Sequence, residues 1–256
     1  MHRAVYIQGA SVRLAGGLLA ALLIQWGVLA LHPLDRETWV LENVLVVAFV
    51  GALVGTWSRF RFSSGAYVLM YVFLALHVIG GHYTYSLVPY DRWCEALTGT
   101  SLSSLTGWSR NHYDRLLHFL FGLLLAMPAA QMLRHAGVPD RLCPRMAVLL
   151  LMAASSLYEL IEWAAALVFA GDLGALYLGT QGDVWDGQRD MALAALGAVL
   201  AMIGPMVRFN RARSSSAHTP GRSRPRACGN SLSDPGRAVP RRAGVCRRTR
   251  TDAGRI

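Results

Sequence analysis

Carboxylates and imidazoles recur in this chain at helical spacing. Asp114 and His118 are four residues apart, Glu159 and Glu162 three apart, and Asp183, Asp186 and Asp190 stand at i, i+3 and i+7. At 3.6 residues per turn, each set shares one face of a helix. A further run, Gly80-Gly81-His82-Tyr83-Thr84-Tyr85, supplies His82. His77 lies five residues earlier and points in a different direction, so His82 alone joins the set. Groups of these types do two kinds of chemistry. They move protons as general acid and base, or they hold one or two hard divalent cations inside a helix bundle. Glu159, Glu162, Asp186 and Asp190 are therefore the candidate acid/base residues. His82, Asp114, His118, Glu159, Glu162, Asp183 and Asp186 are the candidate metal ligands. Neither a GxSxG elbow, nor an HExxH helix, nor a GxxxxGK[ST] phosphate loop occurs, so the families marked by those motifs are not indicated, and the cofactor is open, a divalent metal being the candidate.

The elements that must position these groups are membrane spans. Of 256 residues, 54% are hydrophobic and only 16% charged, with a mean hydropathy of +0.34. A soluble domain carries roughly a quarter of its residues as charges, and so apolar a chain cannot stay disordered throughout. Six apolar runs approach the roughly 20 residues that cross a bilayer. They cover about 14–31, 40–57, 66–85, 116–133, 146–169 and 184–207, giving an all-α integral membrane protein with six transmembrane helices in residues 1–207. The first run is longer than a signal-peptide core and is expected to be kept as a span. Gly51 and Gly55 form a GxxxG in the second run, and Ala194 and Ala198 a small-xxx-small pair in the sixth. Both patterns are expected to let helices pack closely.

Arginine sets the orientation. Arg3 and Arg13, Arg59 and Arg61, Arg134, Arg141 and Arg145, and Arg208 with the arginines of the C-terminal stretch mark alternate loops and both termini as cytoplasmic. In the intervening loops Arg36 and Arg92 stand beside acids. With that topology His82, Asp114, His118, Glu159, Glu162 and the three aspartates all reach one level in the outer half of the membrane. Ionisable groups at such depth cost ~2.5–3.5 kcal/mol or more each, so they require partners or a function. Arg110, Arg115 and Arg189 offset some of the charge, and a divalent metal would offset more.

The formal charge of +10 is not spread along the chain. Up to Asn210 thirteen arginines balance thirteen acids, and the last 46 residues hold twelve arginines and two aspartates. Lysine is absent. Residues 208–256 are rich in Arg, Ser, Pro and Gly and are expected to form a disordered tail, suited to an anionic lipid surface. Nucleic acid is not an expected partner, because no aromatic interleaving accompanies the basic residues. Four widely separated cysteines form neither a disulfide framework nor a zinc knuckle.

Four polar motifs in order, Gly-Gly-His82-Tyr-Thr-Tyr, Arg110-Asn-His112-Tyr-Asp114-Arg-Leu-Leu-His118-Phe, Tyr158-Glu159-Leu-Ile-Glu162-Trp and Gly179-Thr-Gln-Gly-Asp183-Val-Trp-Asp186-Gly-Gln-Arg-Asp190-Met, resemble the YjdF-like family of bacterial inner-membrane proteins. The resemblance covers about residues 10–207 and implies a multi-pass inner-membrane protein without supplying a reaction. Asp183-x-x-Asp186-Gly187 also resembles the opening of the CDP-alcohol phosphotransferase signature, whose remaining aspartates have no counterpart here. Three functions remain open as expectations. One is a metal-dependent enzyme acting on a lipid or amphiphile, the second an ion- or proton-coupled carrier, and the third a structural protein locked by a polar network. The apolar inner halves of the segments and the lack of an inverted repeat weigh against the carrier.

Overall fold

The computed structural model describes residues 10–169 and 180–217, and within them all regular structure is helical. The helices are α1 (Val12–Leu29), α2 (Arg36–Thr56), α3 (Ser64–His82), α4 (Tyr90–Thr98), α5 (Leu102–Thr106), α6 (Tyr113–His135), α7 (Cys143–Phe169) and α8 (Asp186–Ala217). Six of them are long and apolar enough to cross a membrane; α4 and α5 are not. The six coincide with the six apolar runs to within a few residues at most ends. The last differs most, because α8 continues as helix to Ala217, where the sequence suggested a tail from residue 208. The remainder of the expected tail, residues 218–256, lies outside the described residues.

Helix starts follow local chemistry. Ser11, Asp35, Ser63 and Ser101 each accept a backbone N–H of the first turn through their side chains, answering donors that the helix leaves unpaired. Gln131 of α6 ties the start of α3 in place. Its Nε2 donates to Ser63 Oγ at 2.8 Å while its Oε1 accepts from Ser63 N–H at 3.0 Å.

The bundle is built around α6, which packs against α3, α7 and α8. α1 and α2 lean on α3 from outside. The closest approach is between α6 and α8. A Cβ on Gly122 would fall on the Ala194 carbonyl oxygen, and one on Gly197 would fall on that of Phe119. Ala194 and Ala198 are fully buried in that seam, as the small-residue spacing of the sixth run predicts. The GxxxG of α2 does not behave this way. Gly51 and Gly55 face open space, with nothing within 4 Å of an added Cβ, because α2 meets α3 through its other face.

Arg59, Arg61, Arg134, Arg141 and Arg145 lie in or beside the α2–α3 and α6–α7 connections, which share one end of the bundle. The α1–α2 and α3–α6 connections and residues 180–185 share the opposite end. That second end carries the described acids other than Asp140, which pairs with Arg134 at the first end, and is the polar end of the molecule.

Candidate functional site

The glycines of the motif around His82 each admit a neighbour. A Cβ on Gly80 would lie 2.5–2.8 Å from the ring of Tyr85, so glycine is what allows that ring to fold back on α3. Thr84 and Tyr85 make the reversal with φ of 55° and 51°, a region costly for residues other than glycine. Gly81 faces α2, where a Cβ would stand 3.3 Å from Glu42 Cβ. These two approaches assemble a chain of hydrogen bonds. Tyr85 Oη sits 2.5 Å from His77 Nδ1, and His77 Nε2 sits 3.2 Å from the Glu42 carbonyl oxygen. A carbonyl only accepts, so Nε2 carries the ring proton and Tyr85 donates to Nδ1. On α7, Tyr158 donates from its hydroxyl to Glu42 Oε2 at 3.3 Å.

The start of α6 is fixed by a second network. The Asn111 N–H donates to Gln181 Oε1 at 2.9 Å, and Gln181 Nε2 returns a bond to the Asn111 carbonyl at 3.0 Å. Asn111 Nδ2 donates to the Val88 carbonyl, and its Oδ1 accepts from Tyr113 N–H. Arg110 and Arg115 both pair with Asp186, at 2.9 and 3.0 Å, and both reach Asp183, which Arg189 also contacts. The Trp185 N–H, then Arg115 and Arg189, hold the Asp183 carboxyl below its ordinary range. Burial, followed by Arg115 and Arg110, lowers the pKa of His112 beside them.

Between these networks lies the acid and histidine cluster. Asp114, His118 and Asp190 each offer a ligand atom, and these atoms lie within 4.8 Å of one another. His118 Nε2 is 3.6 Å from Asp114 Oδ1 and 3.6 Å from Glu159 Oε1. Glu159 Oε1 and Asp190 Oδ1 are buried without a hydrogen-bond partner, a costly condition. Gly187 makes room here too, since a Cβ would approach Glu159 Oε2 to 2.7 Å. Glu162, one turn further along α7, is buried within reach of the charges of Asp114, Glu42 and Glu159.

The residues singled out in the sequence divide into three groups. Asp114, His118, Glu159 and Asp190 come together, with Glu162 beside them. Asp183 and Asp186 are engaged by arginine. His82 is at the right level but on another side of α3, where its Nδ1 meets the Leu29 carbonyl at 2.7 Å. His77, set aside on spacing, is the histidine of α3 that faces the site. Glu42, Tyr85 and Tyr158 were not among the candidates. The one available signal for Glu42 was an acid inside the second apolar run.

An apolar cavity of about 390 Å³ opens directly below the cluster, lined at one end by His77, Tyr85, Asp114, His118 and Tyr158. Counting Glu42, Asp114, Glu159, Glu162, Asp183, Asp186 and Asp190 against Arg110, Arg115 and Arg189, this part of the polar end holds four more acids than arginines. Crowded acids in a poorly solvated place cannot all carry charge, so protons or a cation must make up the difference.

Comparison with known proteins agrees with the architecture. Residues 14–211 match the model of the DUF2238 family, described as predicted membrane proteins. The chain is 37% identical over 187 residues to the inner membrane protein YjdF of Escherichia coli strain K12, covering 72% of this chain and 84% of that one. No solved structure matches the chain. The protein belongs to the DUF2238 family and is a multi-pass inner-membrane protein.

Proposed function

We propose that this DUF2238 member is a divalent-cation-dependent membrane enzyme acting on the polar group of a lipid or amphiphile. Its site would lie in the outer half of the inner membrane, with both termini cytoplasmic, as the loop arginines indicate. The observation that carries the reading is the group of half-buried Asp114 with buried His118 and Asp190, in which Asp190 Oδ1 has no hydrogen-bond partner. At metal–ligand distances of about 2.0–2.2 Å, two ligands of one ion stand at most about 4.4 Å apart. Three ligands of one ion cannot all stand opposite one another, so the three side chains, now within 4.8 Å of one another, would draw inward to hold it. A bound cation would act as a Lewis acid and make water more acidic.

The remaining roles belong to the chain itself. Asp114, His118 and Asp190 would hold the cation, while Glu159, 3.6 Å from His118, and Glu162 are placed to take or give a proton. Arg110 and Arg115 occupy Asp183 and Asp186, so those two acids shape the site rather than compete for the ion. A carrier would need a polar route to the arginine end. Below His118 the α6–α8 seam is instead closed by Gly122, Ala194, Gly197 and Ala198 at backbone contact.

The test is elemental analysis of detergent-purified protein, wild type beside Asp190→Asn and His118→Ala. Stoichiometric divalent metal is expected in the wild type, with loss in both variants. Chelation should destabilise the wild type by about 2.7 kcal/mol when metal stands 100-fold above its Kd. Metal-free wild type whose melting is unmoved by chelator and by added metal would refute the reading.

A further inference from the structure

The cavity below the cluster has a polar end, an apolar body and an opening toward the sides of the bundle. Its body is walled by Val46 and Phe49 of α2, Phe73 and Leu74 of α3, and Leu125 of α6. Its rim is different. Leu45 on α2 and Leu157 and Ile161 on α7 both line the cavity and are 38%, 59% and 45% exposed on the outer surface of the bundle. α2 packs on α3, and α7 packs on α6 and α8. The hydroxyl of Tyr158 reaching Glu42 spans from α7 to α2 at the polar end. Apart from that bond α2 and α7 are not among the closely packed helix pairs, and with half-exposed lining residues on both, the cavity opens sideways between them.

Depth can be read along the helices. Asp114 and Leu125 both line the cavity and are eleven residues apart on α6, and Ala154 and Ile161 are seven apart on α7. At 1.5 Å per residue the cavity runs about 10–16 Å from the polar end toward the middle of the bundle. That is up to about half of the ~30 Å hydrocarbon core. The volume lies within the ~300–1,000 Å³ range of small-molecule pockets. Its side walls belong to a surface that faces lipid, so what reaches them through the opening is hydrocarbon.

We propose that this cavity seats the first part of one acyl chain of a membrane lipid, entering sideways between α2 and α7 and presenting its polar group to Asp114 and His118. The proposal deepens the enzyme reading by naming its substrate class and rests on that reading only for what happens at the polar end. Ser155, whose buried Oγ has no partner, is the polar side chain of α7 along the path of the chain.

The experiment uses full-length protein in nanodiscs containing a monoacyl phospholipid with a diazirine part-way along its chain. After irradiation, adducts are mapped by mass spectrometry. They should concentrate on residues 45–49 and 154–161. Ala154→Trp, which fills the cavity, and Leu45→Trp, on the half-exposed rim where the buried core is untouched, should each lower that labelling about tenfold. Metal content is measured on the same samples and should be unchanged in both variants. Adducts spread evenly over the lipid-facing surfaces of α1, α2 and α8, or labelling of these segments indifferent to Leu45→Trp, would overturn the proposal. Metal bound while adducts scatter removes the chain pocket alone. Concentrated adducts on a protein that binds no metal keep the pocket and remove the metal-dependent enzyme.

Discussion

At the scale of single residues, most of the polar end is explained by which groups neutralise which. Asp183 receives the Trp185 N–H and meets Arg110, Arg115 and Arg189, while Asp190 has a buried oxygen without a partner. Two aspartates of one motif thus have opposite fates. The first stabilises the fold and the second is available to a ligand. Asp183 also makes stability depend on pH. Its folded pKa lies below the unfolded value of about 3.9, so its contribution is present above about pH 4 and lost as pH falls through the lower folded value. Thermal unfolding in detergent should show Asp183→Asn less stable than wild type at pH 7, with the gap narrowing toward pH 3. A constant gap across that range would contradict this assignment. Glu42 shows why residue types alone mislead. It comes after Asp35 and Glu37 closely enough to resemble one more acid at a helix mouth, yet it is buried beneath Tyr158 and against Gly81.

Among the helices, small residues decide how near two backbones come, and only some of them are used. Gly122 and Gly197 oppose each other across α6 and α8, where any side chain would strike a carbonyl. Gly122→Ala should cost about 1–3 kcal/mol through overpacking. Gly51→Ala and Gly55→Ala, on the open face of α2, should be neutral or gain up to about 1 kcal/mol from lower backbone entropy. Reversible unfolding in mixed micelles measures both. Equal effects at the two pairs would mean that α2 packs through its GxxxG. The patterns Gly51-xxx-Gly55 and Ala194-xxx-Ala198 are alike in sequence. What separates them is that α8 lies against the centre of the bundle and α2 at its edge.

For the whole molecule, the charge of +10 divides into a balanced membrane body and an arginine-rich C-terminal stretch. Reporter fusions at the N-terminus, after Ala217 and in the α3–α6 connection should report both termini on the cytoplasmic side and the α3–α6 connection on the other. An inverted pattern would move the acid site to the inner leaflet and refute its placement in the outer half of the membrane. Six spans, the even alternation of arginine-rich loops and the gathering of Asp114, His118, Glu159, Glu162 and Asp190 at one level were determined by the sequence itself. Hydrocarbon accepts few structures other than long apolar helices, and helical period fixes the face on which paired residues lie. Which face turns inward is a different matter. Period says that His77 and His82 diverge, but only the position of α2 and the reversal at Thr84 and Tyr85 decide that His77 meets the site and His82 the α1–α2 turn. In the same way, sequence supplies three arginines and seven acids without saying who pairs with whom. That was decided by tertiary structure, because charge pairing depends on distance across helices, and the same packing that brings Arg110 and Arg115 to Asp186 leaves Asp190 beside His118.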